Sequence, residues 1–60
     1  MQILTAGQAN KLMGSNANEI IAVWRREARR QGISMVVIRE TIDEARKGDY
    51  EHLCRALGVL

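Results

Sequence analysis

Apolar side chains return at helical spacing in three places along the chain, and four segments are bracketed by a capping residue and a glycine. In one segment Ala17, Ile20, Ile21, Trp24 and Ala28 share a stripe. In the next, Ile38, Ile42 and Ala45 do so, with Met35 beside them. In the last, Tyr50, Leu53, Cys54 and Leu57 stand at i, i+3, i+4 and i+7, the spacing of one helix face. The first segment is shorter and is marked more by its ends than by its periodicity. Thr5 with Gln8 three positions on has capping-box spacing, which predicts a helix from Ala6 to Met13 closed by Gly14. Asn16 with Glu19 repeats the box and opens a helix to about Gln31, closed by Gly32. Ser34 caps a third to about Lys47, closed by Gly48, and Asp49 caps a fourth to Leu57, closed by Gly58. Gly7 falls in the first turn of the first helix and weakens it.

The pattern predicts an all-α fold: one domain over residues 1–60, a small bundle of about four short helices. One stretch also has a strand reading. Met35-Val36-Val37-Ile38 is rich in β-branched residues and could pair with Met1-Gln2-Ile3-Leu4. Helix is favoured there, because the continuation to Ala45 keeps helical spacing.

The short joint between the first two helices gives the N-terminal half a more specific look. Gly14 ends one helix abruptly, and Ile20 and Val23 follow it by six and nine positions, where the next helix must turn apolar residues onto the first. Leu12 and Met13 supply the apolar end of the first helix, and Ala9 permits close approach. The stretch LTAGQANKLMGSNANEIIAVWRR resembles the excisionase and MerR-type helix-turn-helix through Leu4, Thr5, Ala9, Leu12, Gly14, Ile20 and Trp24. Asn10, Ser15 and the late position of Trp24 depart from that pattern. The resemblance implies duplex-DNA binding by the helix over about 17–31, as in small phage or bacterial regulators.

Charge adds to this reading. The chain carries a net charge of +2, unevenly spread. Residues 1–32 hold Lys11, Arg25, Arg26, Arg29 and Arg30 against Glu19 and Glu27. Residues 33–60 hold Arg39, Arg46, Lys47 and Arg55 against Glu40, Asp43, Glu44, Asp49 and Glu51. An anionic partner is therefore expected on the first half. Arg25, Arg26, Arg29 and Arg30 fall away from the apolar stripe and suit phosphate oxygens, whereas Asn16 and Asn18 lie in the first turn, from which a recognition helix reads bases.

Other residues point to no chemistry. Trp24 sits in the stripe and is expected in the core. His52 and Cys54 are two positions apart, on different sides of a helix, so they do not chelate one ion; no metal or cofactor is expected. Glu40, Asp43 and Glu44 read as a solvated acidic face without a nucleophile or pocket, so the protein is expected to be a non-enzyme. A lone cysteine fits a reducing compartment, no apolar run nears the roughly 20 residues of a membrane span, and Met1-Gln2-Ile3-Leu4 lacks a charged leader. A cytoplasmic protein is expected. Sixty residues without a staple bury little core alone, which favours a homodimer or a protein partner. Val36, Val37, Val59 and Leu60 are not all absorbed by the stripes and are the interface candidates. A helical inhibitor or adaptor that docks an apolar face on a larger protein, with no nucleic acid, is the alternative function.

Overall fold

Each helix begins on a side chain that satisfies one of its free backbone N–H groups. In the computed structural model, which describes residues 2–59, α1 spans Ala6–Leu12, α2 Ala17–Arg30, α3 Met35–Ala45 and α4 Tyr50–Leu57. Thr5 and Gln8 form both halves of the predicted box: Gln8 N–H donates to Thr5 Oγ1 at 3.1 Å, and Thr5 N–H donates to Gln8 Oε1 at 2.9 Å. The N–H groups of Glu19, Val37 and His52 donate to Asn16 Oδ1, Ser34 Oγ and Asp49 Oδ1. Such a cap contributes about 1 kcal/mol. At Asn16 the cap is a single bond, since no return bond from the Glu19 side chain accompanies it.

No strand occurs among the described residues, and 35–38 are the first turn of α3. The pairing partner offered for them behaves differently. Ile3 and Leu4 are non-helical and buried, and Gln31 Nε2 donates to the Ile3 carbonyl at 2.8 Å. The chain start is thus tied to the end of α2 by packing and one hydrogen bond. Met1 lies outside the described residues.

Helices α2, α3 and α4 pack on one another pairwise. Trp24, Leu4, Ile20, Ile38, Leu57 and Cys54 are the largest of the fully buried side chains. Burying a large apolar side chain contributes about 1.5–3 kcal/mol. α1 contributes only Leu12. Val23, which the sequence places against α1, is partly buried against the core.

Three of the four predicted helix-closing glycines adopt left-handed backbone: Gly14, Gly32 and Gly58. Gly48 does not. α3 ends at Ala45, and a side chain at position 48 would meet Cβ and Cγ of His52 at 2.6 Å. Gly48 therefore makes room for the His52 ring, whose Nε2 bonds the Glu44 carbonyl at 3.0 Å. No helix of the described chain is long and apolar enough to cross a membrane.

Val59 is a correction to the interface candidates. Its N–H donates to the Cys54 carbonyl at 2.8 Å, and its side chain is buried in the core. A residue just past a left-handed glycine cap commonly packs back on its own helix in this way. Leu60 lies outside the described residues.

Candidate nucleic-acid interface

At about 100° per residue, the four arginines of α2 cannot share one direction. Arg26 is exposed on the side away from the buried stripe. Arg25 and Arg29 lie on the shoulder nearest α3 and line a groove of about 490 Å³ between the two helices. Arg30 lies on the opposite shoulder, where its guanidinium bonds the Glu27 carboxylate. All four lie away from the buried stripe, but Arg30 is turned from the groove that Arg25 and Arg29 line.

Glu27 explains the position of Arg30. It is the buried charged residue of the core region, 8% exposed. Besides Arg30, it accepts from Gln8 Nε2 at 3.3 Å and Gln31 Nε2 at 3.4 Å. The Arg30 bond holds the Glu27 carboxyl below its ordinary range, while burial acts in the other direction; the same pairing raises Arg30. An i, i+3 pair was predictable from the sequence; the burial of Glu27 and its bond from α1 were not.

The groove between α2 and α3 brings together residues that the halves of the sequence kept apart. Arg39 of α3 and Arg46 at its C-terminal cap line it with Arg25 and Arg29, and its floor is Met35, Ile38 and Ile42. Asp43 is its one acidic residue. None of these four arginines forms an ion pair within 4 Å among the described residues; the pairs formed are Glu27–Arg30, Glu44–Lys47 and Glu51–Arg55. Four guanidinium groups on one concavity can hold phosphate or carboxylate oxygens by forked hydrogen bonds.

Sequence reasoning missed Arg39 and Arg46 because it summed charge over the acidic second half. The signal was present: Met35, Arg39, Ile42 and Arg46 stand at i, i+4, i+7 and i+11, so two arginines share the face of α3 that turns to α2. Arg46 also borders a second groove of about 260 Å³ that reaches Asn18, Ile21 and Tyr50. The two grooves therefore follow one another along one flank of α2, the second beside its first turns and the first beside Arg25 and Arg29.

The two asparagines have different standings. The Asn16 side-chain oxygen is engaged as the cap of α2 at 2.8 Å from Glu19 N. Asn18 is exposed one turn before Ala22 and two turns before Arg26, at the end of the second groove. Trp24 is in the core, and Cys54 is a buried free thiol. Among the described residues no group of three or more His, Cys, Asp or Glu is arranged to hold a metal ion.

Comparison of the chain with protein-family models, curated proteins and solved structures gives no match.

Proposed function

We propose that this protein is a small non-enzymatic regulator that binds duplex DNA through α2, of the phage or mobile-element type to which its joint is similar. The observation that carries the reading is the convergence of Arg25, Arg29, Arg39 and Arg46 on one groove without acidic partners within 4 Å. Ala22 and Arg26 form the outward ridge of α2 and enter the major groove, with Asn18 in the first turn beside the base edges. The groove arginines then grip phosphates along one wall and position the protein, while Asn18 and Arg26 specify sequence. Asn16 acts by capping the reading helix. The protein works in the cytoplasm, where DNA is accessible to a small regulator.

The test is a salt titration of binding to random duplex DNA. Each phosphate contact contributes a slope of roughly 0.9 in log K against log salt, so four contacts give about 3.5. Binding that is absent at low salt, or indifferent to salt, would refute the reading.

A second reading has one observation in its favour. Met35, Val36 and Val37 are large apolar residues left exposed at the start of α3, at 51%, 66% and 41%. In that reading the protein is a helical adaptor whose α3 docks on a larger protein. Retention of such a partner by a variant lacking Arg25 and Arg29, with no DNA binding by the wild type, would favour it.

A further inference from the structure

The α2/α3 groove holds one charge that phosphate binding does not explain. Asp43 lines it together with Arg25, Arg29, Arg39 and Arg46. It stands four positions after Arg39 and three before Arg46, the spacings at which opposite charges meet on a helix. Yet no ion pair within 4 Å joins it to either among the described residues. Asp43 is exposed, so its carboxylate is free to accept hydrogen bonds from a ligand. A purely anionic ligand would be repelled there. The groove suits a molecule with two parts: several anionic oxygens for the guanidinium groups and hydroxyl donors for Asp43.

Size and order along the helices narrow the class. A groove of about 490 Å³ lies within the roughly 300–1,000 Å³ of small-molecule sites. Four arginines against one aspartate leave its lining three charges positive. Arg39, Asp43 and Arg46 follow one another along the axis of α3 at steps of about 6 and 4.5 Å. Arg46 also borders the second groove, where Ile21, Leu53 and Tyr50 give an apolar surface and Asn18 an amide. Along one flank of α2 the molecule thus presents a cationic cluster, then a free carboxylate, then a guanidinium beside a half-apolar recess.

We propose that the two grooves together bind a ribonucleoside triphosphate. Arg25, Arg29 and Arg39 hold the phosphates by forked hydrogen bonds. Asp43 accepts from the ribose hydroxyls, as a carboxylate does in other nucleotide sites. The base stacks on the Arg46 guanidinium and enters the second groove, with its edge at the Asn18 amide. A consequence rests on the nucleic-acid reading: nucleotide and duplex use the same arginines, so a bound nucleotide displaces DNA.

The site is tested without DNA, by calorimetric titration at low salt with no divalent metal. The probes are the four common ribonucleoside triphosphates, their 2′-deoxy forms and inorganic tripolyphosphate. At least one ribonucleotide should bind one per chain. Its deoxy form should bind roughly tenfold more weakly, the size of one hydrogen bond to a charged group, and tripolyphosphate more weakly still. Asp43→Asn should erase much of the ribose preference without weakening tripolyphosphate. Arg25→Gln with Arg39→Gln should weaken every probe more than tenfold, whereas Arg46→Ala should weaken the nucleotides and spare tripolyphosphate. These positions are exposed, so circular dichroism of each variant should match the wild type. Amide shifts of the wild type on titration give a readout free of any variant, and should move at Asn18, Asp43 and Arg46. No binding by any ribonucleotide, tripolyphosphate that binds as tightly, an Asp43→Asn variant that keeps the ribose preference, or shifts confined to another face would each overturn the proposal.

A second arm separates the two readings. The nucleotide that binds should release a random duplex from the wild type. A duplex that stays bound beside the nucleotide overturns the shared use of the arginines. A duplex that does not bind at all counts against the DNA reading alone, and the calorimetry still decides the nucleotide site.

Discussion

The Tyr50 hydroxyl donates to the carbonyl of Ser15, 35 positions earlier in the chain. Ser15 belongs to the turn between α1 and α2 and immediately precedes Asn16, the cap of α2. The first residue of α4 therefore fastens the joint from which α2 starts. Desolvation, and after it the neighbouring Cys54 one turn along, raises the Tyr50 phenol above its usual 10.0, so it stays protonated as a donor at neutral pH.

Replacing Tyr50 with Phe removes this tie. Tyr50 is 46% exposed, so water can reach the released carbonyl and the loss should lie near the low end for a hydrogen bond, about 0.5–1 kcal/mol. Thermal unfolding should shift down modestly, and amide exchange in the 13–16 turn should quicken while α3 keeps its protection. Unchanged exchange at the turn would show that the bond does not hold the joint.

Gly14 and Gly48 have the same appearance in the sequence and opposite reasons in the structure. At Gly14 φ is 87°, and no atom lies within 4 Å of an added Cβ. Gly14→Ala should cost about 1–2 kcal/mol from backbone strain alone. At Gly48 the obstacle is the stem of the His52 side chain, which cannot swing aside as a flexible tip could. Gly48→Ala should expel the His52 ring from the Glu44 carbonyl, and His52→Ala should relieve much of the cost of Gly48→Ala. Additive costs in a double-mutant cycle would refute this steric account.

That contrast marks what the chain discloses by itself. All four N-caps could be read from the sequence, because a cap is a contact between residues three apart. The stripes of α2, α3 and α4 were equally legible, since helical spacing alone fixes which residues share a face. Contacts between distant segments were not. Helical spacing sets Glu27, three past Trp24 and seven past Ile20, nearer the stripe than Glu19 and puts Gln31 one turn beyond it, but the arrival of Gln8 of α1 beside Glu27 is written nowhere in the local sequence. Val59 looked spare because the stripes end before it, yet the turn at Gly58 folds it back into the core. Arg39 and Arg46 were hidden by charge summed along the chain, whereas a groove collects charge across helices.

The Glu27 cluster gives the fold an acid-sensitive element. A carboxyl whose pKa is lowered by folding adds stability above its unfolded value and loses it as the pH falls through the folded one. For Glu27, whose folded value lies below 4.5, the contribution is complete at neutral pH and disappears under acid conditions below about pH 4.5. Glu27→Gln should be less stable than wild type at pH 7, and the gap should narrow as the pH falls toward 3. Denaturant unfolding of both proteins across that range checks the sign; a gap that widens in acid would contradict it.

The arginines of the groove can be separated from the rest of the positive charge by comparing pairs inside and outside it. Arg25→Ala with Arg29→Ala, and Arg39→Ala with Arg46→Ala, each remove two cations from the shared groove. Lys11→Ala with Arg55→Ala removes two from elsewhere. All six side chains are exposed, so each pair should alter stability by about 1 kcal/mol at most, at roughly 0.5 kcal/mol per surface site. If α2 and α3 hold the DNA backbone together, both groove pairs should weaken random-duplex binding and lower the salt slope by about 2, roughly one for each phosphate no longer gripped. The control pair should lower affinity only slightly and leave the slope nearly intact, because neither residue lines the groove and Arg55 is already paired with Glu51. Asn18→Ala should instead preserve the slope and flatten the preference among sequences, as expected of a group that meets bases rather than phosphates. Equal losses from all three pairs would mean that DNA responds only to net charge. A loss confined to Arg25 and Arg29 would mean that α2 binds without α3, and that the concave arrangement of four arginines is not what the DNA recognises.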